Sequence, residues 1–152
     1  MSIDADSALW ATIVIVHAGA TWFLVGLIWT IQLVHYPSFS SIDPASYSSF
    51  QKRHMDRMGQ LVGLPWLIEG ICVLALFLLA PDGRIRLLAT LGGLLEIVVI
   101  GVTIRASIPA HDALSHGFDE SAHRRLLRSN WWRTAAWTTR GIIALIVLTS
   151  IR

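Results

Sequence analysis

Six side chains combine acid, base or metal-ligand chemistry with positions that offer them little water. Glu69, Glu96 and Arg140 each interrupt an otherwise apolar stretch, and His35, His54 and His111 stand where such stretches begin or end. Two carboxylates can act as acid and base, and a guanidinium can hold either one in place. Imidazole is the commonest nitrogen ligand for iron, zinc and copper, so three histidines at one level point to a metal or a heme iron. His17 adds a further imidazole inside the first apolar stretch. The catalytic candidates are therefore Glu69, Glu96 and Arg140, and the metal-ligand candidates are His35, His54 and His111.

These residues must be positioned by the apolar stretches around them. Four such stretches are long enough to be helices that cross a ~30 Å hydrocarbon core, which takes ~20 residues. They cover approximately residues 8–35, 58–80, 85–108 and 130–151. The second ends at Ala80-Pro81-Asp82-Gly83, a turn that cannot continue a helix, and the third ends at Pro109. The fourth is mixed from Trp131 to Arg140 and cleanly apolar only beyond it. The acidic start, with Asp4 and Asp6, and the length of the first stretch argue for a retained helix over a cleaved signal. Short alternating strands, as a barrel would need, are absent from the pattern.

Composition agrees. Apolar residues make up 54% of the 152 and charged residues only 14%, where soluble proteins carry roughly 25% charged. Mean hydropathy is +0.59. Seven tryptophans suit helix ends lodged among lipid headgroups. The basic residues sit beside apolar spans rather than on a soluble face, which argues against a nucleic-acid partner. The single cysteine, Cys72, cannot form an internal disulfide and reads as a small buried hydrophobe.

The connections set the orientation. Residues 38–56 contain the turn Asp43-Pro44, then a short helix through Phe50 and Lys52. Residues 110–129 place Asp119-Glu120 before Arg124, Arg125 and Arg128, as in an interfacial helix with acid first and base last. Eight basic residues (Lys52, Arg53, Arg57, Arg105, Arg124, Arg125, Arg128 and Arg133) flank these connections, against Arg84, Arg86 and Arg152 at the opposite end. By the positive-inside rule the connections are cytoplasmic and both termini lie outside. The expected fold is all-α: an integral membrane bundle of four transmembrane helices with short interfacial helices in the cytoplasmic connections, as a single domain in a bacterial cytoplasmic membrane.

Depth brings the charges together. Glu69 lies 11 residues before Ala80, Glu96 lies 11 after Ile85, and Arg140 lies 11 before Ile151. At 1.5 Å per residue each sits about 16 Å deep, near the midplane. A buried carboxylate must be paired, hydrogen-bonded or neutral, and one arginine cannot fully compensate two of them. Either one glutamate is protonated or a further cation, His17 or a metal ion, is present. The plainer reading is a bridge locking the fourth helix to the second and third. On the first helix His17, Thr21, Leu24, Ile28, Gln32 and His35 follow a helical rhythm, so both histidines are expected to point inward. Met58, Val62, Pro65 and Glu69 share a face, as do Arg133, Trp137 and Arg140. His116 and His123 read as solvated, and Tyr36, Trp131 and Trp132 as belt residues. Gly92-Gly93 offers a close helix contact, within the bundle or between copies.

The motif His17-Ala18-Gly19-Ala20-Thr21-Trp22, followed by Gly26 and Leu33-Val34-His35-Tyr36-Pro37, resembles the first helix of small bacterial four-helix integral membrane proteins with no assigned activity. Pro109-Ala110-His111 and Asn130-Trp131-Trp132-Arg133-Thr134 extend the likeness in plan to the whole chain. The first helix alone, about 20 residues, is also similar to protoporphyrinogen-oxidase-type heme membrane proteins and copper-resistance-type membrane proteins. That resemblance implies a heme or metal role for His17 or His35. No second intramembrane histidine accompanies His17, so a heme among His35, His54 and His111 fits better. Cofactor binding is accordingly expected at His17, His35 and Arg133.

The leading expectation is a cofactor-binding, redox-active membrane protein holding heme or a transition metal ion, with Glu69, Glu96 and Arg140 as a supporting network or proton path. A non-enzymatic small transporter, channel or accessory subunit of a larger membrane complex is the first alternative. An enzyme acting on a lipid or quinone is the second. The expected partners are the lipid bilayer and a second copy or larger membrane complex.

Overall fold

Residues 5–151 are described by a computed structural model. Asp4 and Arg152, which entered the comparison of the chain's two ends, lie outside the described residues. All regular structure among the described residues is helical. Helix α1 (Ala5–Thr30) runs on through a π-helical turn (Ile31–His35) and a 3-10 turn (Pro37–Ser41). Helix α2 (Tyr47–Leu78) follows, then α3 (Gly83–Val102), a second π-helical turn (Thr103–Ser107), the short α4 (Ile108–Ser115) and α5 (Glu120–Leu148).

Three of the four long helical segments are long and apolar enough to cross a membrane: residues 5–41, 47–78 and 83–115. The fourth, α5, is not among them, because its first half carries the exposed Arg124, Arg125 and Arg128 and the buried His123, Asn130 and Arg133. The helices form a closed ring in which α1 packs on α2 and α5, and α3 also packs on α2 and α5. No backbone approach joins the diagonals among the described residues. Long side chains fill the space between them, and Trp137 and Arg140 are among the largest fully buried groups.

Polarity is distributed inside out. Glu69, Asn130, Thr21 and Gln51 are fully buried, while Leu64, Leu67, Ile71 and Ile97 on α2 and α3 are 59–65% exposed. A protein dissolved in water would hide such a continuous apolar face. Two apolar clusters bracket the charges. One gathers Phe39, Tyr47, Leu114 and Leu126 at the end with the connections, and the other gathers Val14, Leu76, Ala89 and Val147 at the opposite end.

The connections differ in form from the expectation. The helix expected after Asp43-Pro44 is fused to α2, which starts at Tyr47. The amphipathic segment after Asp119 is likewise the first three turns of α5. Pro109 does not end the third segment but sits in the first turn of α4. Proline is tolerated there because a first-turn N–H needs no helical acceptor. Asp82 caps α3 by accepting from the Ile85 N–H at 2.9 Å.

Asp119 caps α5 in the same way, accepting from the Ala122 N–H and the Ser121 hydroxyl. The backbone bond from Ala122, then that from Ser121, holds its carboxyl below the usual range. A depressed carboxyl stabilises above its unfolded pKa and loses that contribution as pH falls through the folded value. Asp119→Ala should therefore speed amide exchange in the first turn of α5 at neutral pH, and Asp119→Ser should not. Equal exchange in all three proteins would refute the cap.

Candidate functional site: a polar column through the bundle

The column starts where the charges were expected. Arg140 of α5 crosses the ring diagonal to Glu69 of α2, its Nε donating to Oε1 at 3.2 Å and its Nη2 2.9 Å from the same oxygen. Its Nη1 donates to the Gly92 carbonyl of α3 at 3.0 Å and pairs with Glu96. Both ionic partners, Glu69 and Arg140, are at most 1% exposed. The sequence left one guanidinium facing two carboxylates, and the structure supplies two further donors. The indole N–H of Trp137 donates to Glu69 Oε2 at 3.1 Å, and that of Trp66 donates to Glu96 Oε1. The two indoles touch edge to face with centroids 5.6 Å apart. Glu69 thus accepts from an arginine and a tryptophan, whereas Glu96 accepts from a tryptophan and is ion-paired with the same arginine.

His17 lies on the far side of this layer from the other histidines. Its Nε2 approaches the Thr21 hydroxyl at 3.5 Å, and its buried Nδ1 has no partner. His17 and Arg140 border an enclosed cavity of about 10 Å³, the scale of one water site.

Next along α5 comes Arg133, seven residues before Arg140 and so on the same face. Its guanidinium sits over the Trp137 ring, 5.4 Å from the centroid, a cation–π arrangement. Nη1 donates to Asn130 at 3.3 Å, and Asn130 donates to Gln32 on the π-helical turn of α1 at 2.9 Å. Arg133 thus continues the column from Trp137 of the charged layer to Gln32, three residues before His35.

The histidines from three elements do meet. His35 Nε2 is 2.9 Å from His54 Nδ1, and the His54 and His111 rings lie 5.1 Å apart. Phe39 packs edge-on against both His35 and His54. His111 is enclosed by Tyr36, whose hydroxyl is 3.0 Å from Nε2, and by Gln51, whose amide nitrogen is 2.9 Å from Nδ1. Both ring nitrogens of His111 are thereby occupied. Among the described residues no group of three or more His, Cys, Asp or Glu side chains is placed to hold a metal ion. The two nitrogens that face each other are those of His35 and His54. They border an open groove of about 400 Å³ lined also by Phe50, Arg53, Arg57 and Met58.

Of the expected cofactor residues, His35 and Arg133 belong to this end of the column, and His17 does not. Eighteen positions of helix separate His17 from His35, about 27 Å. Two further participants escaped the sequence reading. Tyr36, expected in the interfacial belt, is 3% exposed and bonded to His111, whereas His35 is only half-buried. The π-helical turn explains the swap, since its extra residue per turn advances the inward face by about one position. His123, expected to be solvated, is buried against Phe39 with Nε2 2.8 Å from the Tyr36 carbonyl. A buried aromatic wall around it was not readable from spacing alone. His116 stays at the surface.

No protein-family model matches this chain, and neither the curated proteins nor the solved structures gave a match. The functional reading therefore rests on the geometry of the column.

Proposed function

We propose that this chain is a cofactor-binding, redox-active integral membrane protein that holds a transition-metal ion at the His35–His54 pair, or a heme iron through one of these two imidazoles. The observation that carries the reading is the 2.9 Å separation of His35 Nε2 and His54 Nδ1. Across this distance one imidazole N–H donates to the other ring's lone pair. Loss of that proton and a small rotation of the rings would turn both lone pairs to one ion, whose ~2.0–2.1 Å bonds at right angles span about 2.9 Å. The groove beside them adds Met58, a soft thioether, and Arg53 and Arg57, which suit the carboxylates of a heme. His111, held by Tyr36 and Gln51, backs the pair and fixes its place.

Three apolar helical segments with leucine-rich outer faces support insertion in a bilayer. The fourth crossing is α5, whose Arg133 and Arg140 make their hydrogen bonds inside the bundle. The excess of basic residues at the histidine end supports a cytoplasmic position for that end in a bacterial membrane, with the termini outside. Glu69, Glu96 and Arg140 then form a buried network behind the cofactor rather than its ligand set.

The test is metal analysis with an absorbance spectrum of the purified chain, before and after loading with hemin, copper or zinc. About one iron, copper or zinc per chain is expected, falling at least tenfold in His35→Ala and His54→Ala that keep wild-type helicity. Protein that stays colourless and metal-free after loading, or variants that bind as well as wild type, would overturn the reading and leave a non-enzymatic transporter or subunit.

A further inference from the structure

A second site lies on the outer wall at the same end of the bundle. The π-helical turn Thr103–Ser107 brings Arg105 opposite the first turns of α5, which present Arg125, Arg128, Ser129 and Trp132. Those four positions follow the spacing of one helix face. Between the two elements is a cleft of about 410 Å³, opened by the short side chains of Ala106 and Pro109. It is lined by three guanidiniums and no carboxylate. Among the described residues the ion pairs go to Arg124 and Arg140, and none to Arg105, Arg125 or Arg128. Trp132 at the rim is 69% exposed, and Val102 and Pro109 add apolar surface to the lining.

We infer that this cleft binds the phosphate headgroup of an anionic phospholipid. Three unpaired guanidiniums match phosphate oxygens, and an exposed indole matches the headgroup layer. The apolar lining of Val102, Ala106, Pro109 and Trp132 matches acyl chains, which a free phosphate or an acidic peptide would not cover. Basic pockets between helices on the cytoplasmic side hold lipid headgroups by this combination. The inference rests on the membrane reading above. Were that reading wrong the chain would fail to insert in vesicles, whereas failure of this one leaves inserted protein with no lipid preference.

The test uses the full chain in phosphatidylcholine nanodiscs, titrated with phosphatidylglycerol and followed by retained lipid in native mass spectrometry. Phosphatidylglycerol should bind in preference to phosphatidylcholine. Arg105→Gln with Arg128→Gln should lower that preference by about thirtyfold, at about fivefold per arginine. Lys52→Gln with Arg124→Gln removes the same charge from the same end outside the cleft and should leave it largely intact. Brominated phosphatidylglycerol should quench fluorescence in wild type and less so in Trp132→Phe, which tests the site without touching an arginine. Equal losses in the two double variants would overturn the proposal, as would no preference in wild type. Competition by inorganic phosphate at similar concentration would also overturn it, by showing an anion site without lipid specificity.

Discussion

Arg140→Met should destabilise the folded chain by about 3–5 kcal/mol, the cost expected when one partner of a buried ion pair is removed. Arg140 is 1% exposed and is the only guanidinium paired with Glu69 and Glu96 among the described residues. Methionine would fill most of the volume but leave Glu69 with a single indole donor and the Gly92 carbonyl with no side-chain partner. Equilibrium unfolding in mixed detergent micelles measures the loss. Adding Glu69→Gln and Glu96→Gln to Arg140→Met should recover a large part of it, since neutral amides no longer need a cation. In the wild-type background the same glutamine substitutions should each destabilise. A loss under about 1 kcal/mol, or no rescue, would mean that the three groups do not act as a unit.

Gly141→Leu should cost about 1–3 kcal/mol by overpacking, while Gly141→Ala should be close to neutral. A Cβ at Gly141 would stand 3.2 Å from Val25 Cγ2 and 3.3 Å from Trp22 Cζ2 of α1. Alanine asks the partly exposed Trp22 and the buried Val25 methyl each to yield by a few tenths of an ångström. Leucine asks for separation of α1 from α5. The indole bonds that tie these helices, Trp29 to Thr138 at 3.0 Å and Trp10 to Ser150 at 3.2 Å, would lengthen with it. The same unfolding assay decides, and a leucine variant as stable as the alanine one would show that α1 has room to move.

The sequence made some of this legible and hid the rest for physical reasons. Depth counting along regular helices brought Glu69, Glu96 and Arg140 to one layer, because between their helix ends and the layer each helix is uninterrupted α. The same counting misjudged His35 and Tyr36, where a π-helical turn intervenes and shifts the phase. Trp66 and Trp137 were not seen as carboxylate donors. A tryptophan's N–H direction depends on its rotamer and neighbours, and neither is written in spacing. Within the bundle Gly92-Gly93 is not a close-packing site, since a Cβ at Gly92 would meet nothing within 4 Å and one at Gly93 makes only an ordinary contact. The tight approach is at Gly141, a lone glycine with no motif around it. Joined helices in the connections were also hidden, since hydropathy marks where an apolar stretch starts and not where the helix does.

The ring diagonal that Arg140 bridges has a consequence for how the chain is made. At the centre of a membrane helix an arginine costs roughly 2.5–3.5 kcal/mol, and an acidic residue a similar amount. Alone in lipid, α5 would carry that burden unrelieved, and α2 and α3 would each carry a carboxylate. Synthesis delivers α5 after Glu69 and Glu96, each on a preceding helix. In a bilayer α5 would enter as the completing member of an electrostatic set rather than as an independent anchor. Its residence there would be conditional on its neighbours.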